Sequence, residues 1–159
     1  MRRPILSLVA ALALLAGATA EAHAQTVRLT AILSGASETP AVLTGGAGTA
    51  EVFVNLGRRT VTYEIHVFNM PTLTTAGHFH VGGPGLAGPI VVDLAPPRVT
   101  DDFTLRGEAE AASLRARPDQ GIHTWDDFIQ ALVGGQIYVN IHSTTNGGGE
   151  IRGQLVPDR

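Results

Sequence analysis

The sequence predicts an all-β fold, a Greek-key sandwich or barrel of about eight strands with one short helix before the last two strands. Three observations predict it. Short alternating apolar runs recur along the chain. Nineteen Gly and nine Pro in 159 residues supply the breaks between them. Only one later stretch carries a helical start signal, an apolar face and a stop.

The strands follow in order. Val27, Leu29, Ala31 and Leu33 alternate with polar neighbours. Ala47 to Leu56 contains the β-rich run Glu51-Val52-Phe53-Val54, and after the turn Gly57-Arg58-Arg59 the pattern resumes from Thr60 to Phe68. Gly77 to Val81, Ile90 to Leu94 and Phe103 to Ala109 are the next candidates. The stretch Ala111 to Gly121 reads as an exposed connection. Thr124 is the expected N-cap of the helix, with Asp126 and Asp127 in its first turn, Phe128, Ile129 and Leu132 on its apolar face, and Gly134-Gly135 as its stop. Trp125 is expected to pack against the core. Gln136 to His142 and Glu150 to Val156 close the series, joined by Asn146-Gly147-Gly148-Gly149.

Residues 1–24 read as a cleaved signal peptide. Arg2 and Arg3 form a positive start, Ile5 to Ala16 is an apolar run short for a membrane span, and Ala22-His23-Ala24 is a small-x-small cleavage pattern. Residues 25–159 are then a single domain, exported as a secreted or periplasmic protein with no membrane span. Its nine Arg stand against thirteen acids, and there is no Lys. Such a chain lacks the concentrated positive charge that binding to nucleic acid needs. The absence of Lys excludes Schiff-base and P-loop lysine chemistry. The absence of Cys excludes disulfides, thiolate ligands and a Cys nucleophile. There is no G-x-S-x-G elbow and no H-E-x-x-H helix. Gly82-Gly83-Pro84-Gly85 reads as a wide turn, since Pro84 removes an amide donor.

The informative pattern is His78-Phe79-His80. On a strand this spacing puts both imidazoles on one face, the outer or polar one, while Phe79 and Val81 point to the core. By the same parity Tyr138, Asn140 and His142 share the polar face of their strand, as do Glu64 and His66 of theirs. Glu150 and Arg152 point outward, opposite Ile151 and Leu155. If the strands are neighbours, His78, His80 and His142, and less strongly His66, form a set of neutral imidazoles suited to copper or zinc, with affinity rising above pH about 6.5 as free imidazoles deprotonate. Parity alone does not make the strands neighbours. His123, just before the helix, is expected to be structural or exposed. Glu38 and Arg152 are charged residues for which a structural ion pair is the default.

The chain resembles the CHRD domain, a module first described in chordin and found in many exported bacterial proteins. The resemblance runs from about Leu29 to Leu155. It rests on Leu33-Ser34-Gly35-Ala36-Ser37-Glu38-Thr39-Pro40, Ala76-Gly77-His78-Phe79-His80-Val81-Gly82, Gly88-Pro89-Ile90-Val91, Gly135-Gln136-Ile137-Tyr138-Val139-Asn140-Ile141-His142-Ser143 and Gly149-Glu150-Ile151-Arg152-Gly153-Gln154-Leu155. Ala41 and the Asn146-Gly147-Gly148 turn depart from a pattern that often has proline at these points. The resemblance implies an immunoglobulin-like β-barrel with a distant likeness to copper-zinc superoxide dismutases, whose copper ligands include an outward His-x-His pair. Three functions follow as expectations. The first is an exported module binding copper or zinc through the strand histidines. The second is a metal-free protein-interaction or adhesion module with an unidentified protein partner. The third is a dismutase-like metalloenzyme.

Overall fold

The structure, a computed structural model, describes residues 25–158. The expected signal peptide lies outside the described residues. The elements in chain order are β1 (Thr26–Ser34), β2 (Ala47–Asn55), β3 (Thr60–Phe68), β4 (Thr74–Val81), β5 (Ile90–Leu94), β6 (Phe103–Ala109), α1 (Trp125–Val133), β7 (Ile137–Ser143), β8 (Ile151–Gln154) and β9 (Val156–Pro157). All strand pairs are antiparallel, in the order β5-β4-β7-β8-β1-β2-β3-β6. The path folds into a nearly closed sandwich. One layer is β5-β4-β7-β8 and the other is β1-β2-β3-β6. They meet at a corner where Ser34 pairs with Arg152 and β9 pairs with β1.

The alternation that marks each strand fills the space between the layers. Leu29, Leu33, Val52, Val54, Val61, Ile65 and Val67 come from one side, and Phe79, Val139, Ile141 and Ile151 from the other, all fully buried. Burial of such side chains contributes about 1.5–3 kcal/mol each. Tyr63 meets Phe79 edge to face at 5.6 Å, linking the layers. The α1 helix begins where expected. Thr124 Oγ1 accepts from the Asp127 amide, and the Asp127 carboxylate accepts from the Thr124 amide. Phe128 and Leu132 are fully buried, with Phe128 beside Phe79 and Trp125. Trp125 is buried as expected, and its indole N–H donates to the Arg59 carbonyl at 2.7 Å.

The final expected strand divides at Leu155 into β8 and β9, where the chain turns the corner from one layer to the other. The stretch Ala111 to Gly121 is not a plain exposed connection. It runs along the outer edge of β5, where the Arg115 amide donates to Val91 O at 2.8 Å and Arg117 Nε donates to Ile90 O at 2.8 Å. That strap covers an edge strand that would otherwise present free backbone groups.

Candidate metal centre

Strands β4 and β7 are neighbours in register, with Ala76 opposite His142, His78 opposite Asn140 and His80 opposite Tyr138. This pairing brings His78, His80 and His142 onto one patch of the polar face. One nitrogen from each ring lies within 4.8 Å of the other two.

The patch is not the open surface that parity suggested. His80, Asn140, His142 and Arg152 are each less than a tenth exposed, and every residue of β7 is buried on both faces. Parity tells inward from outward on one sheet, but it does not see loops. Here the turn after β4 (residues 82–89), the turn after β7 (144–150) and the loop carrying Glu38 fold over the polar face, as their contacts with these side chains show.

The loops also set the tautomers. A carbonyl only accepts, so a ring nitrogen beside one carries the proton. His80 Nδ1 donates to Gly88 O at 2.8 Å, and His142 Nδ1 donates to Gly147 O at 3.0 Å. In both neutral rings Nε2 is left as a lone pair. His142 Nε2 lies 2.9 Å from His78 Nδ1, and His80 Nε2 is buried with no hydrogen-bond partner among the described residues. At the far side of His78, Nε2 lies 3.5 Å from the Asp93 carboxylate, which Arg115 grips at 2.5 Å. His78 and His142 thus each have one nitrogen beside an outer acceptor and the other turned toward the partner ring, and His80 has its Nδ1 beside Gly88 O, the kind of outer contact that orients metal-ligating histidines.

Electrostatics points the same way. Burial pushes His78 and His80 down to about 4. For His78 the neighbouring His142 adds to the shift while Asp93 opposes it, and for His80 the bond to Gly88 opposes it. Burial also lowers His142, against its bond to Gly147. All three rings are therefore neutral near pH 7, the state that binds metal.

The spacing fits one ion. Nitrogens about 2.0–2.1 Å from a metal at a right angle are about 2.9 Å apart, the separation of His78 Nδ1 and His142 Nε2. At a tetrahedral angle such nitrogens are about 3.3–3.4 Å apart, so nitrogens up to 4.8 Å apart would close by up to about 1.5 Å around an ion. A set of three imidazoles suits copper or zinc and disfavours calcium or magnesium, which take oxygen ligands.

The other expected residues divide. Arg152 does not form the expected ion pair. Its guanidinium donates to Gly83 O and Leu86 O at 3.1 and 2.9 Å and lies 3.5 Å over the Tyr138 ring, which also stacks on His80. Glu38 Oε2 accepts from Asn140 Nδ2 at 3.1 Å. Burial pushes Glu38 up to about 7, opposed by that bond and by the charge of Arg152. Glu150 does not face solvent but is almost fully buried. Burial would raise its carboxyl, yet hydrogen bonds from Ser143, Thr44 and Asn146 hold it below the usual range. Those bonds fix the turn whose Gly147 carbonyl orients His142. Glu64 and His66 lie elsewhere, on the outer face of β3, where Glu64 pairs with Arg106 and His66. His66 is not part of the histidine cluster. His123 is exposed and also outside it.

Asp93, Gly88 and Gly147 were not singled out from the sequence. Asp93 had a signal, being the lone acid in an apolar strand and on its polar parity, opposite His78. Gly88 and Gly147 act through backbone carbonyls, and no side-chain pattern marks that role. Gly88 is obligatory, because a Cβ there would overlap the Val81 carbonyl, while its N–H donates to Tyr138 Oη at 3.0 Å.

No curated protein and no solved structure matches the chain significantly. A family model, that of the CHRD domain, matches residues 29–155, from the first fully buried residue of β1 to the bend between β8 and β9. This span takes in both layers of the sandwich and the three histidines, and the chain belongs to the CHRD domain family.

Proposed function

We propose that this chain is an exported binding module that holds one copper or zinc ion on His78, His80 and His142. The observation that carries the reading is the convergence of one nitrogen from each of three imidazoles within 4.8 Å, with the rings held from outside by Asp93, Gly88 O and Gly147 O. In the metal-free protein a proton on His78 Nδ1 bridges to His142 Nε2. Metal binding requires that nitrogen as a lone pair, and Asp93 stands ready to accept the proton at Nε2. A bound ion would act there as a Lewis acid or an electron carrier. The rigid strand pair makes it a binding site first. Export is supported by the signal-like residues 1–24 and by a family whose domains are typically extracellular. No helix among the described residues is long and apolar enough to cross a membrane.

The test is calorimetric titration of the metal-stripped protein with Cu(II) and with Zn(II), beside a His78→Ala/His80→Ala variant. One equivalent should bind tightly to the parent and not to the variant. Because the rings are already neutral, few protons should be released at pH 7. A folded parent that binds neither ion would end the metal reading.

That outcome would favour the second reading, a protein-interaction module. Its supporting observation is a cleft of about 620 Å³ across the outer face of β1, β2 and β3, where Ile32 is 79% exposed and Val156 51% exposed.

A further inference from the structure

The two ends of the strand path differ. At one end the strap from Ala111 to Gly121 bonds to the outer edge of β5. At the other end β6 pairs with β3 on one side only. Among the described residues, no backbone hydrogen bond joins residues 103–109 to anything but β3. An open strand edge is a template for a further strand. Proteins commonly guard such an edge with lysine, proline, a bulge or an inward charge. The strand Phe103–Ala109 has none of these, and its register with β3 is regular.

The edge does carry two charges, and they are opposite in sign. Thr104, Arg106 and Glu108 are exposed on the outer face, while Leu105 and Ala109 are buried on the inner one. Arg106 and Glu108 therefore stand on one face, either side of Gly107. When two identical strands pair antiparallel about a two-fold axis, each contact occurs twice. With Gly107 opposite its own copy, Arg106 of each chain falls opposite Glu108 of the other, and Leu105 falls opposite Ala109. With Arg106 on the axis two guanidiniums would meet, and with Glu108 on the axis two carboxylates would. Unlike charges directly across a strand pair stabilise it and like charges destabilise it, so the charges select the register about Gly107.

The side chains are free to make these contacts. Arg106 Nη2 donates to Glu64 at 2.5 Å, yet the Arg106 side chain stays 66% exposed, with further N–H groups for a second carboxylate. Glu108 makes no ion pair among the described residues. Gly107 brings no side chain to the axis, and a Cβ there would overlap the Tyr63 hydroxyl that lies over it.

We propose that β6 is a docking edge for a second copy of this chain. Two β6 strands pair antiparallel about Gly107, and reciprocal Arg106–Glu108 pairs join two sandwiches through one continuous sheet. The histidine patch lies on the other layer and takes no part, so the proposal stands apart from the metal reading. A short strand pair is a small interface, and a dissociation constant on the order of 10–100 µM is expected.

Sedimentation velocity at concentrations spanning that range should show a reversible monomer–dimer equilibrium. Amide hydrogen exchange within residues 103–109 should slow as the dimer fills. Arg106→Glu sets two carboxylates across from each other, and Glu108→Arg sets two guanidiniums. Each variant alone should dimerise at least tenfold more weakly. Mixed together, the two should pair with one another, because both contacts then join unlike charges. Recovery on mixing is a gain that a merely damaged edge would not give. Should Arg106→Glu fail to fold through loss of its bond to Glu64, Glu108→Arg carries the comparison, since Glu108 is exposed and makes no ion pair within the chain. A parent that stays monomeric throughout would overturn the proposal. So would a dimer of unchanged affinity in Glu108→Arg, a dimer whose β6 amides exchange as in the monomer, or folded variants that fail to pair on mixing.

Discussion

The contacts of single side chains decide what the histidine patch can do. His78 is the ring held by a side chain rather than a carbonyl, and Asp93 reaches it from the solvent side with Arg115 as its own anchor. Replacing Asp93 with Ala should lower metal affinity about 10- to 100-fold, the usual effect of removing an outer partner of a ligating histidine. Titration calorimetry checks this, and the fold should be unaffected because Asp93 is about half exposed. Arg152 is the opposite case, buried and structural. Truncating it to Ala would strip Gly83 O and Leu86 O of their donor and uncover Tyr138. A loss of about 2–4 kcal/mol is expected in denaturant unfolding. Lys at this position should recover only part of it, since an ammonium lacks the planar face that lies on the Tyr138 ring.

At the scale of elements, α1 and the turns do different work. The helix packs Phe128 against Phe79, whose neighbours His78 and His80 lie on the other face of β4. Thr124→Ala should cost about 1 kcal/mol through the lost cap. Phe128→Ala should cost about 3–5 kcal/mol through the cavity it leaves between Phe79 and Trp125. Thermal or denaturant unfolding measures both, and copper or zinc stoichiometry should stay at one per chain in each folded variant. The turns are the converse. Residues 82–89 and 144–150 add little apolar burial, but they deliver the carbonyls of Gly88 and Gly147 and the bonds around Glu150. The alternation of Val27 to Leu33 and of the later strands made the strands legible in the sequence. So did the Thr124 cap with its Phe128-Ile129-Leu132 face. Covering of the polar face was not legible, because it depends on where glycine-rich turns land after the sheet has formed.

For the whole molecule, the buried rings couple stability to pH. His78 and His80 titrate near 6.5 when unfolded and at about 4 when folded, and His142 shifts the same way. The unfolded chain therefore binds more protons in that window, so stability falls as pH drops from about 6.5 toward 4. Each ring shifted to about 4 accounts for an effect on the order of 3 kcal/mol. Glu38, raised to about 7, works in the opposite sense between its unfolded value of 4.5 and about 7, but it is one group against three. Metal-free protein should thus show a falling denaturation midpoint on acidification through this range. Bound copper or zinc should raise the midpoint at pH 7 and lose that effect as protons compete near pH 4–5, which unfolding curves at several pH values would show. The sequence by itself determined the strands, the helix and its cap, the all-β class, the pairing of His78 with His80 on one face and the family, because side-chain periodicity and turn chemistry are local. Only the tertiary structure decided that β4 lies beside β7, that His142 completes the cluster and His66 does not, and that the polar face is roofed by loops. Strand order and loop docking arise from contacts between residues far apart in the chain, and no local pattern encodes them.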